Sequence, residues 1–117
     1  MVSSVDDLDH IAAADPDDPY DWQVLAKLAL NNDAIIRSSA IDALVHTNLY
    51  KEEAEALALY ATTDDDQFGR IAGLEGLTVL EAVDQRNYIQ TYVTEDISHL
   101  VRATAVSYTH LTLPTKA

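Results

Sequence analysis

Apolar residues recur along the chain at intervals of three and four, the spacing of amphipathic helices. Trp22, Leu25 and Leu28 or Ala29 mark one face of a helix over about 21–30. Ile36, Ala40, Ala43 and Leu44 mark a second helix over about 34–46. Ala54, Leu57, Ala58 and Ala61 predict a third over about 51–61; Phe68, Ile71, Leu74 or Gly73, and Leu77 predict a fourth over about 67–82. A further pair is expected from Gln85, with Tyr88, Ile89, Tyr92 and Val93 on its first helix and Leu100 and Val101 on its second. Leu8, Ile11 and Ala12 give a short leading helix, Val5 to Ala14. The run Asp15-Pro16-Asp17-Asp18-Pro19 ends it, because proline cannot continue the hydrogen-bond ladder.

These helices repeat as pairs. With Arg37, Arg70 and Arg102 in one column, the separations are 33 and 32 residues. Six residues earlier stand Asn31, Asp64 and Asp96; four earlier, Asp33, Asp66 and Ser98; three later, the small residues Ala40, Gly73 and Ala105. Asp33 and Asp66 are placed to cap the following helix, each contributing about 1 kcal/mol. Gly73 and Gly76 cost helix stability, which implies close approach of a neighbouring helix. A single-striped hairpin cannot bury itself alone, whereas stacked hairpins share a core. The expected fold is therefore all-α: a short α-solenoid of about three antiparallel helix hairpins, the last truncated. Residues 1–20 form an N-terminal capping helix and acidic turn, and 21–105 the repeats.

The turn segments Asn31-Asn32-Asp33-Ala34-Ile35-Ile36-Arg37, Asp64-Asp65-Asp66-Gln67-Phe68-Gly69-Arg70 and Asp96-Ile97-Ser98-His99-Leu100-Val101-Arg102 resemble the Asp-x-Asp-x-x-Val-Arg turn of HEAT-like repeats. Among those, the short repeats related to phycobilisome lyase subunits are most similar. Gly69, Asn31 and Ser98 depart from the pattern. The resemblance implies that the Arg residues pair with turn Asp residues of the same or a neighbouring unit, Arg70 with Asp33, Asp64 or Asp66. Arg86 lies outside the column and is expected at the ordinary surface.

The segment Val106–Thr115 resembles the translation of a transposon-end sequencing adapter at all ten positions. Residues 106–117 are accordingly expected to be a non-native tail, with the last helix cut short near Ala105.

Charge narrows the function. Twenty acidic residues against seven basic ones give −13, a surface that repels nucleic acid and anionic membranes. The excess of Asp over Lys resembles proteins of salt-loving microbes, where screening tolerates such charge; an ordinary acidic domain is the alternative. No apolar run reaches the roughly 20 residues of a membrane span. The first residues carry neither a basic region nor an apolar run, so a cytoplasmic protein is expected.

Candidate chemistry is sparse. There is no Cys, no His-Glu pair, no glycine-rich phosphate loop and no EF-hand continuation of the acidic runs. No catalytic, cofactor or metal residues are expected. Asp33, Arg37, Asp64, Asp66, Arg70, Asp96 and Arg102 are structural repeat positions, and Tyr88 and Tyr92 are either core or partner-facing. The expected function is a non-catalytic scaffold or adaptor binding another protein. The alternative is an accessory subunit of an enzyme, a lyase-type cofactor chaperone.

Overall fold

A computed structural model describes residues 4–93 and 95–111, without the side chains of 4, 5, 91, 92, 110 and 111. The described chain is all-helical. Its elements are α1 (Ser4–Ala13), α2 (Pro19–Leu28), α3 (Ala34–Leu44), α4 (Lys51–Ala61), α5 (Gln67–Val79), a 3₁₀ turn (Val83–Gln85), α6 (Arg86–Tyr88), a π turn (Ile89–Val93) and α7 (His99–Leu111). No helix among the described residues is long and apolar enough to cross a membrane.

Aspartate caps set where α2, α3 and α5 start. Asp18 accepts the Asp21 N–H at 2.9 Å, and Pro19 occupies the first turn of α2, where a missing N–H costs nothing. The helix therefore begins two residues before the expected Asp21. Asp33 caps α3 through Ile35 N–H and Asp66 caps α5 through Phe68 N–H, each at 2.8 Å. Helix α5 ends earlier than the expected Ala82. Glu81 adopts a left-handed backbone (φ 54°), Glu81 N–H bonds Thr78 O, and Ala82 N–H reaches back to Leu77 O at 2.9 Å. This satisfies carbonyls that a helix end leaves free, and it turns buried Ala82 onto buried Leu77.

Helices α3, α5 and α7 form a row, α3 packed on α5 and α5 on α7. Helix α2 packs on α3, α4 on both α3 and α5, and α1 on α3. The Cα extents are 49 × 31 × 16 Å, the thinnest being what two helix layers with axes about 8–10 Å apart require. The shared core includes Leu25, Ile36, Ile41, Leu44, Leu74 and Leu77, all at most 2% exposed. At Gly73 a Cβ would lie 2.6 Å from Ala58 O and 2.8 Å from Thr62 N, so α4 and α5 touch backbone to backbone there. Tertiary contact thus explains a residue that helix propensity disfavours.

Between α5 and α7 the expected regular helix is replaced by the short 3₁₀, α and π segments. Ile89 and Val93 are nevertheless buried, as the apolar spacing requires. Tyr88 is partly buried against the core, its hydroxyl 3.3 Å from Thr62 Oγ1. The side chain of Tyr92 lies outside the described residues.

Helix α7 continues six residues beyond Ala105, where the helix was expected to stop. Val101, Ala105 and Tyr108 follow one another at four and three residues, and all three are fully buried. The apolar stripe of α7 therefore runs into the segment that resembles an adapter, and packing overrides the strand preference of Val, Tyr and Thr. The Tyr108 hydroxyl donates to Ala82 O. Burial, then the negative charges of Glu55 and Asp84, push the phenol above its usual pKa. Residues 112–117 lie outside the described residues. Tyr108→Ala should lower the unfolding free energy by about 3–5 kcal/mol in urea titration, the usual cost of deleting a large buried aromatic. A change under about 0.5 kcal/mol, the level of an ordinary surface substitution, would mean that α7 ends near Ala105.

Candidate functional site

The three turns preceding α3, α5 and α7 share one construction. The first side chain of each closes a small loop: Asn31 Oδ1 accepts Asp33 N–H, Asp64 Oδ1 accepts Asp66 N–H, and Asp96 Oδ1 accepts Ser98 N–H, at 2.8–2.9 Å. Such rings suit Asn and Asp, whose short side chains reach their own backbone two residues on. The column arginine then binds its own turn. Arg37 Nη1 donates to Asn31 O and Asn32 O at 3.0 and 2.9 Å. Arg70 Nη1 donates to Asp64 O and Asp65 O at 2.9 and 3.1 Å, and Arg102 Nη1 to Asp96 O at 2.6 Å.

The remaining guanidinium nitrogens reach forward. Arg37 Nε and Nη2 clamp the Asp64 carboxylate, both at 2.8 Å, across 27 residues. Arg70 clamps Asp96 across 26 residues, Nη2 at 3.0 Å and Nε at 2.8 Å, the latter an ion pair whose alignment falls short of a hydrogen bond. The planar fork of arginine matches a carboxylate at two points, which lysine cannot do. Arg70 therefore pairs with the next turn and not with the carboxylates of Asp33, Asp64 or Asp66; the expected partner is corrected to Asp96. Column spacing identified the residues, but the sense of the reach depends on how the helices stack.

The clamp side chains are 10–21% exposed, between surface and interior. The Arg37 hydrogen bond holds the Asp64 carboxyl below its usual pKa, helped by Asp66 N–H and opposed by burial. The same bond raises Arg37. Asn31, the first of the three turn residues, is an amide, and no arginine among the described residues precedes it in the column. Arg102 is exposed, and no carboxylate among the described residues occupies its fork.

The sequence did not single out Asp17. Its Oδ1 accepts from Thr47 Oγ1 and Asn48 N–H at 2.7 Å and from Leu49 N–H at 3.1 Å. Thr47 is buried, and its Oγ1 accepts from Leu49 and Tyr50 N–H. Beside this knot Trp22 stacks on Tyr50 with ring centroids 4.9 Å apart. Donors from Thr47, then Asn48 and Leu49, lower the Asp17 pKa from 3.8 to about 2. The turn before α2 is thereby fastened to the connection between α3 and α4. At the opposite ends of α2 and α4 a cavity of about 460 Å³ opens, lined in part by Ile41, Leu57, Tyr60, Arg37 and Asp64, with Gly69 among the walls. Buried Ile36 and Val101 stand one residue before Arg37 and Arg102, as Gly69 stands before Arg70. A Cβ on Gly69 would sit 2.5 Å from Asp64 Cγ, so glycine here leaves room for the clamped carboxylate.

The helix starts also carry a second column. Ile35, Phe68 and Leu100, each two residues before the column arginine, are 65%, 57% and 42% exposed. Ile97 is 95% exposed beside Leu100 in sequence. These side chains lie on the solvent side of the turns and contribute little to the core. Among the described residues no group of three or more His, Cys, Asp or Glu could hold a metal ion. No family model, curated protein or solved structure matches the chain.

Arg70→Leu should destabilise the protein by about 1–3 kcal/mol in urea unfolding, between the values for exposed and buried pairs. Arg86 is a poor comparator: contrary to expectation it is half-buried, with Nε enclosed and unbonded among the described residues. Arg102→Leu is the proper one and should cost less than about 1 kcal/mol, since only a carbonyl contact is lost. Equal losses from the two variants would show that the forward clamp adds nothing.

A second outcome concerns acid. A carboxyl whose pKa is depressed on folding stabilises the native state above its unfolded pKa and loses that contribution as pH falls through the folded one. For Asp17 the window runs from about 4 down to about 2. Asp17→Asn should lower stability at pH 7 and make the decline between pH 4 and pH 2 shallower than in the parent, as measured by circular dichroism in urea.

Proposed function

We propose that the chain is a short HEAT-like α-solenoid that serves as a non-catalytic scaffold, holding a surface in fixed register for another protein. The observation that carries this reading is the repeated forward clamp, Arg37 to Asp64 and Arg70 to Asp96. It ties each helix pair to the next with the same two-point geometry, so that equivalent residues recur at equal steps along one edge. Stacked repeats of this kind offer extended surfaces rather than enclosed pockets. The solvent-exposed apolar column Ile35, Phe68 and Leu100 is what such an edge presents.

The alternative, a cofactor-handling accessory subunit, draws less support. The cavity between α2 and α4 has Arg37 as its sole cationic lining residue, already engaged by Asp64, and Asp64 and Asp65 add negative charge. An anionic cofactor finds no free cation there.

A photo-reactive side chain placed at Phe68 should cross-link one recurrent protein, and that protein, purified, should bind the chain with defined stoichiometry in calorimetry. The same group at exposed Glu53 on α4 should not capture it. Identical capture from both positions, or no binding by the purified protein, would remove the scaffold reading.

A further inference from the structure

The second column has a chemistry of its own. Ile35 and Phe68 follow the caps Asp33 and Asp66 by two residues, and Leu100 follows Ser98 by two, so all three share one register at a helix start. The clamps hold these starts side by side, because Arg37 in the first turn of α3 grips Asp64 just before α5, and Arg70 grips Asp96 just before α7. Packed helices lie about 8–10 Å apart, so the three side chains form a ridge stepping by about that distance. Seven residues of an α-helix advance about 10.5 Å. A heptad-spaced apolar stripe on a foreign helix therefore matches the ridge residue for residue.

Charge specifies the rest of that helix. Asp65 is exposed beside the ridge, and Asp33 and Asp66 flank it; each is uncommitted to an arginine clamp. At the far end exposed Glu95 and exposed Arg102 offset one another, and Leu100 and the nearly bare Ile97 stand between them in sequence. We propose that this ridge docks a basic amphipathic helix of a partner protein. Its apolar side chains sit on Ile35, Phe68 and Leu100, and its Lys and Arg residues face Asp33, Asp65 and Asp66. The more apolar end of that helix lies over Ile97 and Leu100. The proposal rests on the scaffold reading and specifies the partner's chemistry.

The probe is a dye-labelled 18-residue peptide with Leu at heptad spacing and Lys elsewhere, followed by fluorescence anisotropy on the full chain at about 0.15 M salt, where the Debye length is near 8 Å. Two companions are needed: the same composition scrambled, and the patterned peptide with Glu for Lys. Phe68→Ser and Ile35→Ser should each weaken the patterned Leu/Lys peptide about tenfold or more, as loss of an apolar anchor does. Tyr20→Ser, which removes an equally exposed apolar side chain off the ridge, should leave binding unchanged. Asp65→Lys should weaken the Leu/Lys peptide and strengthen the Leu/Glu one. These ridge residues are exposed, and circular dichroism of each variant checks that the fold is intact.

Equal binding of patterned and scrambled peptides, or indifference to Phe68→Ser, would reduce the interaction to charge alone and overturn the proposal. Sedimentation showing a dimer of the parent chain that Phe68→Ser dissolves would assign the ridge to a second copy, which also overturns it. An acidic partner cross-linked at Phe68 would sink the basic helix while leaving the scaffold standing.

Discussion

The forward reach of Arg37 and Arg70 is the constraint from which the rest of the arrangement follows. Each guanidinium is divided between two tasks: Nη1 ties down the carbonyls of its own turn, and the Nε–Nη2 fork holds the carboxylate of the next. The carboxylate is itself committed to closing its turn through a backbone N–H. A sliding motion of one helix pair past another would break charged bonds at both ends of the fork together. Apolar packing alone is far less particular about register. The clamp thus holds α3 against the start of α5, and α5 against the start of α7, in a fixed alignment.

Much of this was legible in the chain. The Arg column, the caps Asp33 and Asp66 and the small residue at Gly73 could be read from spacing, because each is a local requirement of a helix start or a close crossing. The clamp's direction could not, since Asp64 and Asp96 lie equally close in sequence to the arginines of their own turns. Asp17 was read as a residue in a helix-breaking turn, because its partners at Thr47, Asn48 and Leu49 are 30 or more residues away. Glu81 concealed the end of α5, as a left-handed cap is usually marked by glycine or asparagine.

Tyr108 illustrates a separate point. Resemblance to an adapter concerns where a segment came from, whereas packing concerns what its residues do when placed beside a core. A run whose propensities favour strands still supplies Tyr108 three residues after buried Ala105, and the groove between α5 and the segment after it accepts the ring. Arg86 made the reverse error possible: outside the repeat pattern, it was assigned to the surface, yet its Nε is enclosed. Column spacing predicts roles at the column positions and says little about the residues between them.

Asn31 gives the ladder a polarity. The other two turns offer a carboxylate to the arginine behind them; this one offers an amide, which closes its turn equally well through Asp33 N–H but carries no charge. A second copy stacked end to end, its first turn against Arg102 of the copy before, would meet that guanidinium with a neutral group. The two-point charged clamp of Arg37 on Asp64 and of Arg70 on Asp96 would not be reproduced at such a junction. Repeated addition by the same rule would otherwise generate an open filament, the hazard of any head-to-tail surface. The amide of Asn31 withholds from this turn the negative charge that Asp64 and Asp96 bring to the other two.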